Sequence, residues 1–404
     1  MSILIRRADL KAFLSRASVI FTILFASAVL AFLGASHLVN RFREQEKALG
    51  RHLYAQGLAE QASGKTERAI AEYRAALTYD RDNFQYQLSL ARALRDSGLT
   101  SEAKTYLMNL WERNPEDGAV NLALGRLAAR EGAISEAIHY YHNATYGVWD
   151  SDAEVHRRDA EFELINFLLQ QNALPQAQGE LITFSASLPR EAELEMPVAR
   201  MFDLAGDQER ALAEYEAVLR HDRQNAAALA GAGREAFKLH HYRTAEKYLG
   251  DAAKLDPRNA PLQQSLEIAR LVLQADPFSD GLSNRERSSR VRDAFNRAGE
   301  LLAGCAKLHN ISFQDGSQQE NAPQSNAADV ANSFSTDLAS LHKEWLEMKL
   351  KLRRPGAAAE ADTADSAMAL VFKVEEQTQN QCGEPTVMDR ALLELAQNPQ
   401  RADQ

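Results

Sequence analysis

Residues 121–144 read NLALGRLAAREGAISEAIHYYHNA, and this stretch decides how the chain folds. Small and apolar residues return every three or four positions, which is the period of a helix face. Gly132 splits the stretch into two such helices, and a glycine in the left-handed conformation is a common way to end the first. Leu124-Gly125 sits in the first helix, and Ala137, Tyr141 and Ala144 share one face of the second. Small side chains let the two helices approach closely, and a ring four residues after an alanine fills the space between them.

The same spacing recurs along the chain. Gly64, Gly98 and Gly132 are 34 residues apart, as are Ala69, Ala103 and Ala137. Tyr73, Leu107 and Tyr141 follow, then Ala76, Leu110 and Ala144. After a six-residue offset the period resumes with Ala177, Ala211 and Ala245, accompanied by Leu181, Tyr215 and Tyr248, the last one residue early. Pro115, Pro189 and Pro257 end three units at one phase. A fixed 34-residue period of helix–turn–helix units resembles the tetratricopeptide repeat. The resemblance covers residues 50–260 as six units, beginning near Gly50, Phe84, Gly118, Arg158, Ala192 and Ala226. The tryptophan usual near the start of the first helix is replaced by Leu53, Gln87, Asn121 and Leu229, and Asn172 and His240 stand where two turn glycines belong. Pro197 lies inside the first helix of the fifth unit, so that helix is expected to start late or bend. Thr66, Thr100 and Ser135 stand where an N-cap of each second helix would be, with Glu67, Glu102 and Glu136 just inside. The implied fold is all-α, a superhelical solenoid with an N-terminal transmembrane helix and a small helical C-terminal region.

Gly64-Lys65-Thr66 invites a second reading, as the end of a phosphate-binding loop. Such a loop needs a glycine five residues earlier and a preceding strand. Ala59 stands there, in a helical segment, so no nucleotide is expected. The 404 residues carry a net charge of −10, which argues against nucleic acid. His139 and His142 lie one turn apart with no matching carboxylate, and the two cysteines cannot build a four-thiolate zinc site. No catalytic motif, metal site or cofactor site is read, and the chain is taken as non-enzymatic.

Residues 17–39, ASVIFTILFASAVLAFLGASHLV, contain no Asp, Glu, Lys or Arg. A run of this length matches the hydrocarbon thickness of a bilayer. It exceeds the apolar core of a signal peptide, and its best cleavage site, Gly34-Ala35-Ser36, is weak. The reading is an uncleaved single-pass anchor in a bacterial inner membrane. Four basic residues precede it and Arg41, Arg43, Lys47 and Arg51 follow, so the charge rule is nearly tied. The orientation taken places the N-terminus in the cytoplasm and the bulk of the chain in the periplasm. Export would let Cys305 pair with Cys382, the other reading being two unrelated buried thiols.

The resulting map is a tail at 1–17, an anchor at 18–39, six repeats and a capping helix at 50–275, and a helix carrying Cys305 at 276–312. A polar linker follows at 313–333, then helices at 334–404 with RRPGAAAEADTAD (353–365) as a second loose linker. Thr386 and Asp389 fit a capping box on the last helix. Three stretches, HNATYGVWD (142–150), ALAGAGREAFKLHHYRTAEKYL (228–249) and the tail VFKVEEQTQNQCGEP with DRALLELA, are similar to membrane-anchored repeat proteins of acidobacteria. That resemblance implies an anchored repeat protein and no particular activity.

In the tetratricopeptide family, ligands lie against positions such as the ninth of the first helices. Here those are Arg92, Arg126, Asn166, Arg200 and Arg234, with Arg95, Arg130 and Lys238 beside them. Arginine forks suit carboxylates, so the implied ligand is a protein or acidic peptide. The competing reading pairs these arginines with neighbours such as Asp96 and Asp203. The reading is a periplasm-facing scaffold for an envelope or secretion complex; a cytoplasm-facing adaptor, or a catalytic or sugar-handling protein with accessory repeats, are the alternatives.

Overall fold

The computed structural model describes residues 4–189, 192–311, 313, 326–379 and 381–398. These residues form α-helices joined by short turns, with one isolated β-bridge between Asp117 and Val148. The chain divides into two compact units, Met1–Asn172 and Ala173–Gln404.

The first unit begins with α1 (Leu4–Ala62), a single helix of 59 residues. The apolar stretch and the first helix of the first repeat are therefore one continuous rod. Phe21, Phe25, Leu30 and Phe32 lie exposed along it, Phe25 at 73%. From Ile23 onward α1 is long and apolar enough to cross a membrane. Helices α2 (Thr66–Tyr79), α3 (Phe84–Asp96), α4 (Thr100–Arg113), α5 (Gly118–Glu131) and α6 (Ile134–Tyr146) complete three repeats, and α7 (Ala153–Gln170) opens the fourth. It starts five residues before the expected Arg158.

The first helix of each repeat closes on a left-handed residue. Gly132 has φ 74°, and where glycine is missing the turn keeps its shape, with Asn172 at 56° and His240 at 59°. The expected N-caps are not caps. Lys65, Leu99 and Ala133 precede the second helices without any capping side chain, and Thr66 and Thr100 fall inside the first turn. The tight turn itself satisfies the backbone: Lys65 N–H reaches Glu60 O (2.9 Å), and Ala133 N–H reaches Ala128 O (2.9 Å). Among these helices side-chain caps sit on α3 and α5, where Asn83 accepts from Tyr86 N–H (3.2 Å) and Asp117 from Val120 N–H (2.8 Å).

Burial follows the small residues. Ala69, Ala103 and Ala137 are fully buried, and so are Tyr73 and Leu107 four residues on. A methyl group on Gly57 would lie 2.5 Å from the Tyr73 ring, and one on Gly125 would lie 3.1 Å from Tyr141. Tyr73 OH donates to Gln61 Oε1 at 2.6 Å, so the ring cannot swing away freely.

The six-residue offset between the third and fourth repeats also has a structural cause. Gly147, Val148 and Trp149 fold back onto the start of α5. Gly118 N–H donates to Val148 O (2.9 Å) and Val148 N–H to Glu116 O (2.8 Å). Trp149 Nε1–H donates to Ala144 O (3.1 Å), and its ring covers Gly118.

The second unit holds α8 (Leu174–Ser187), α9 (Ala192–Leu204), α10 (Gln208–His221), α11 (Ala226–Lys238), α12 (Tyr242–Leu255) and the capping helix α13 (Ala260–Ala275). Helix α9 starts in frame and runs through Pro197, so the late start does not occur. In α12 the residue that fills the core after Ala245 is Leu249, 2% exposed, and not Tyr248. Tyr248 points its OH to Glu216 (2.9 Å) instead. The expected i, i+4 rule holds here, and the aromatic residue simply occupies the next face.

Beyond the repeats lie α14 (Asn284–Leu308), α15 (Asn326–Leu352), α16 (Ala361–Thr378) and α17 (Val387–Ala396). Most of the expected linker at 313–333 lies outside the described residues, but 326–333 already belong to α15. The second expected linker is not loose: a 3₁₀ turn at Ala357–Ala359 buries Ala357 and Ala358 completely. Alanine is small enough to plug a helix interface from a loop. Trp345 of α15 stacks on Phe295 of α14 at 5.3 Å and donates to its carbonyl (3.1 Å). Tyr242 of the sixth repeat donates to Glu394 on α17 (2.9 Å), which ties the tail to the repeats. Thr386 and Asp389 form the capping box of α17.

Two buried carboxylates of this tail differ in their partners. Arg297 bonds Asp389 (2.8 Å) and Thr386 (2.7 Å). Asp389 is held below its ordinary range, because those bonds outweigh its burial. Glu375, 1% exposed, has no such partner; burial, then the Asp389 charge, pushes it up to about 8.

Two expectations follow. Gly118→Ala forces a methyl group to 2.3 Å from the Trp149 ring and should cost about 1–3 kcal/mol, the range for overpacking; the cost should shrink in a Trp149→Ala background, as a double-mutant cycle by denaturant unfolding would show. Glu375 binds its proton more tightly folded than unfolded, so its stabilisation is full below about 4.5 and lost as pH rises through about 8. The stability of the wild type should therefore fall over that window relative to Glu375→Gln, as denaturant unfolding across pH would show.

Candidate partner-binding site

The ninth-position residues lie on the first helices of both units. In the first unit, α3 and α5 bring Arg92, Arg95 and Arg126 close enough that each charge bears on Arg92. Arg126 donates through Nε and Nη2 to both carboxylate oxygens of Glu163 on α7, with Nε–Oε2 at 2.7 Å. That hydrogen-bonded pair raises the Arg126 pKa. Arg95 bonds Asp96 through Nε (2.9 Å) and Nη2 (2.7 Å), and Arg130 donates to the Arg95 carbonyl (2.7 Å). Asn166 lies exposed on α7.

Arg92 differs from all of these. Among the described residues it makes no hydrogen bond or ion pair, and its Nε is buried with no acceptor. The Arg95 Nη1, one helical turn away, is buried and orphaned too. Burial, then the positive charges of Arg126 and Arg95, lowers the Arg92 pKa. A buried donor without an acceptor costs about 1–3 kcal/mol.

In the second unit, Arg234 bonds Asp203 (2.7 Å) and Glu235 (3.2 Å), and Lys238 bonds the same two at 2.8 Å and 3.0 Å. Glu235 is fully buried, and burial raises its pKa. Burial also acts on Asp203, but the Lys238 and Arg234 partners outweigh it and lower the pKa. Arg200 is exposed and pairs with no described residue. The expected basic line is thus largely neutralised: Arg95, Arg126, Arg234 and Lys238 answer carboxylates of their own fold. The sequence shows Glu163 and Glu235 but not which arginine they would choose, since Glu163 reaches across 37 positions.

The other candidates resolve simply. Lys65 pairs with Glu60 at 3.1 Å and Gly64 is left-handed, so the GKT tripeptide is the turn between the two helices of the first repeat. His139 contacts Asn143 (3.2 Å). Cys305 and Cys382 stand as a disulfide with Cα atoms 5.0 Å apart. His309, one turn after Cys305, joins them, a neighbour the sequence reading passed over although the i, i+4 spacing was visible. A cleft of about 580 Å³ beside α16 is lined by Phe278, Met368 and Phe372, with Arg287 and Asp365 as its charged groups.

Paired first and second helices, left-handed turns and buried alanines at one phase are now in place. Residues 60–127 match the tetratricopeptide repeat family model. No curated protein matches the chain in sequence. Similar solved structures include pilF of Pseudomonas aeruginosa, 18% identical over 55% of this chain and 97% of that one, with a TM-score of 0.40. PilW, a type IV pilus biogenesis factor, is 18% identical over 54% and 98%, at 0.40. The C-terminal part of a TPR repeat-containing protein from Cytophaga hutchinsonii is 11% identical over 59% and 93%, at 0.43.

The pairing pattern makes a prediction about stability. Arg234→Ala strips a partner from Asp203 and the buried Glu235 and should cost about 1–2 kcal/mol in denaturant unfolding. Arg200→Ala should change stability by less than ~0.5 kcal/mol, as for an unpaired surface residue.

Proposed function

We propose that this chain is a non-enzymatic scaffold that captures an acidic segment of a partner protein on the α3–α5 face of its first unit. The carrying observation is Arg92, a half-buried guanidinium among like charges with an orphaned Nε. A carboxylate docked on the part of the guanidinium that solvent still reaches would offset the crowding with Arg95 and Arg126. Protein–protein interaction is the coarse role that the repeats themselves support.

The finer reading is an inner-membrane scaffold facing the periplasm, in assembly of an envelope or secretion complex. Exposed phenylalanines and leucines on the N-terminal part of α1 support the anchor, since a protein surface rarely leaves so many uncovered. The continuous α1 would then hold the first repeat on a rigid stalk. The paired Cys305 and Cys382 favour an oxidising compartment over the cytoplasm-facing adaptor.

Arg92→Met tests the central part. It removes an unsatisfied charge while keeping the stem volume, so the melting temperature should stay level or rise. Capture of partners in a crosslinked pull-down from native membranes should fall at least ~10-fold, the loss of about 1.4 kcal/mol. Undiminished recovery of the same partners would remove Arg92 from the binding face.

A further inference from the structure

The end of α14 and the loop between α16 and α17 gather three soft or borderline donors. Cys305 and His309 are one turn apart, with His309 N–H donating to the Cys305 carbonyl (3.1 Å). Cys382 arrives from the loop, where its N–H donates to Thr378 O (3.0 Å). The two sulfurs and one ring nitrogen all lie within 4.8 Å of one another. Cys305 is 2% exposed, whereas His309 is open to solvent.

One ring nitrogen of the histidine is held by the backbone. Its Nε2 lies 2.8 Å from the carbonyl of Gln381. A carbonyl only accepts, so Nε2 carries the proton and Nδ1 keeps the lone pair. Metal-ligating histidines commonly donate their other N–H to a backbone carbonyl in this way. Gln381 directly precedes Cys382, so one loop supplies a sulfur and orients the ring. Phe334 packs edge-on against that ring at 5.1 Å.

We propose that, in the reduced chain, Cys305, Cys382 and His309 bind one zinc-class cation. A dithiol reductant breaks the S–S bond by exchange; it loses two electrons and two protons and becomes a disulfide, and the chain gains two thiols. The cation displaces both thiol protons to solvent and takes two thiolates and Nδ1, leaving a fourth position for water. Disulfide and metal exclude each other, and each ties α14 to the tail loop. The site does not depend on the binding face at Arg92.

The test uses the full chain in detergent, reduced with a phosphine that is then removed, and titrated anaerobically with Co²⁺ before Zn²⁺ displacement. The reduced chain should take up one equivalent, with thiolate-to-cobalt charge transfer and tetrahedral ligand-field bands that Zn²⁺ abolishes. The oxidised chain should show neither. His309→Ala should bind at least ~10-fold more weakly, while its reoxidised form melts with the wild type, which shows that it folds. Reduced wild type that binds Co²⁺ no better than oxidised, or His309→Ala that binds as tightly as wild type, overturns the site.

Discussion

Everything in the repeats depends on how closely the two helices of a hairpin can approach. Glycine or alanine at the crossing point lowers the barrier, and a tyrosine or leucine from the second helix then fills the gap. Gly57 under Tyr73 and Gly231 under Tyr215 show the tolerance: an added methyl group would sit 2.5 Å from either ring. With so few aromatic residues, 7% of the chain, the core cannot be padded with large side chains at will. Its shape is set by where the small ones fall. The same logic reappears at the start of the third repeat, where Gly118 lies under Trp149, and outside the repeats, where Gly299 lies under Trp345.

This constraint explains what could be read in advance. A small residue at a crossing point leaves a periodic mark, and so does the left-handed turn, which Asn172 and His240 fill where glycine is absent. What escaped the reading has no period. Capping of α2 and α6 passed from side chains to the turn backbone, because the turn already supplies hydrogen bonds to Lys65 and Ala133. Ala357 and Ala358 look like linker in sequence, yet alanine is neutral about burial, and neighbouring helices decided it. Most arginines of the candidate site were visible, but their partners lie tens of residues away, and only folding sorts Arg126 onto Glu163 while leaving Arg92 alone.

That sorting gives the site its meaning. A line of arginines in sequence suggests a basic surface; the fold spends most of that charge internally. What survives is a local asymmetry at α3, where burial and like charges work against Arg92. A protein tolerates such a cost where something else is gained. Tyr242 and Glu394 hold the C-terminal helices to the last repeat, so the second unit closes its own end.

The chain carries a net charge of −10, so its long-range field repels acidic ligands. The affinity of the full chain for an acidic peptide, measured against a basic peptide of equal length across ionic strength, is therefore the most direct test. A local cationic site at Arg92 predicts that the acidic peptide binds, more weakly as salt rises, and that it outcompetes the basic one. Preference for the basic peptide, or no acidic binding at low salt, would contradict the account.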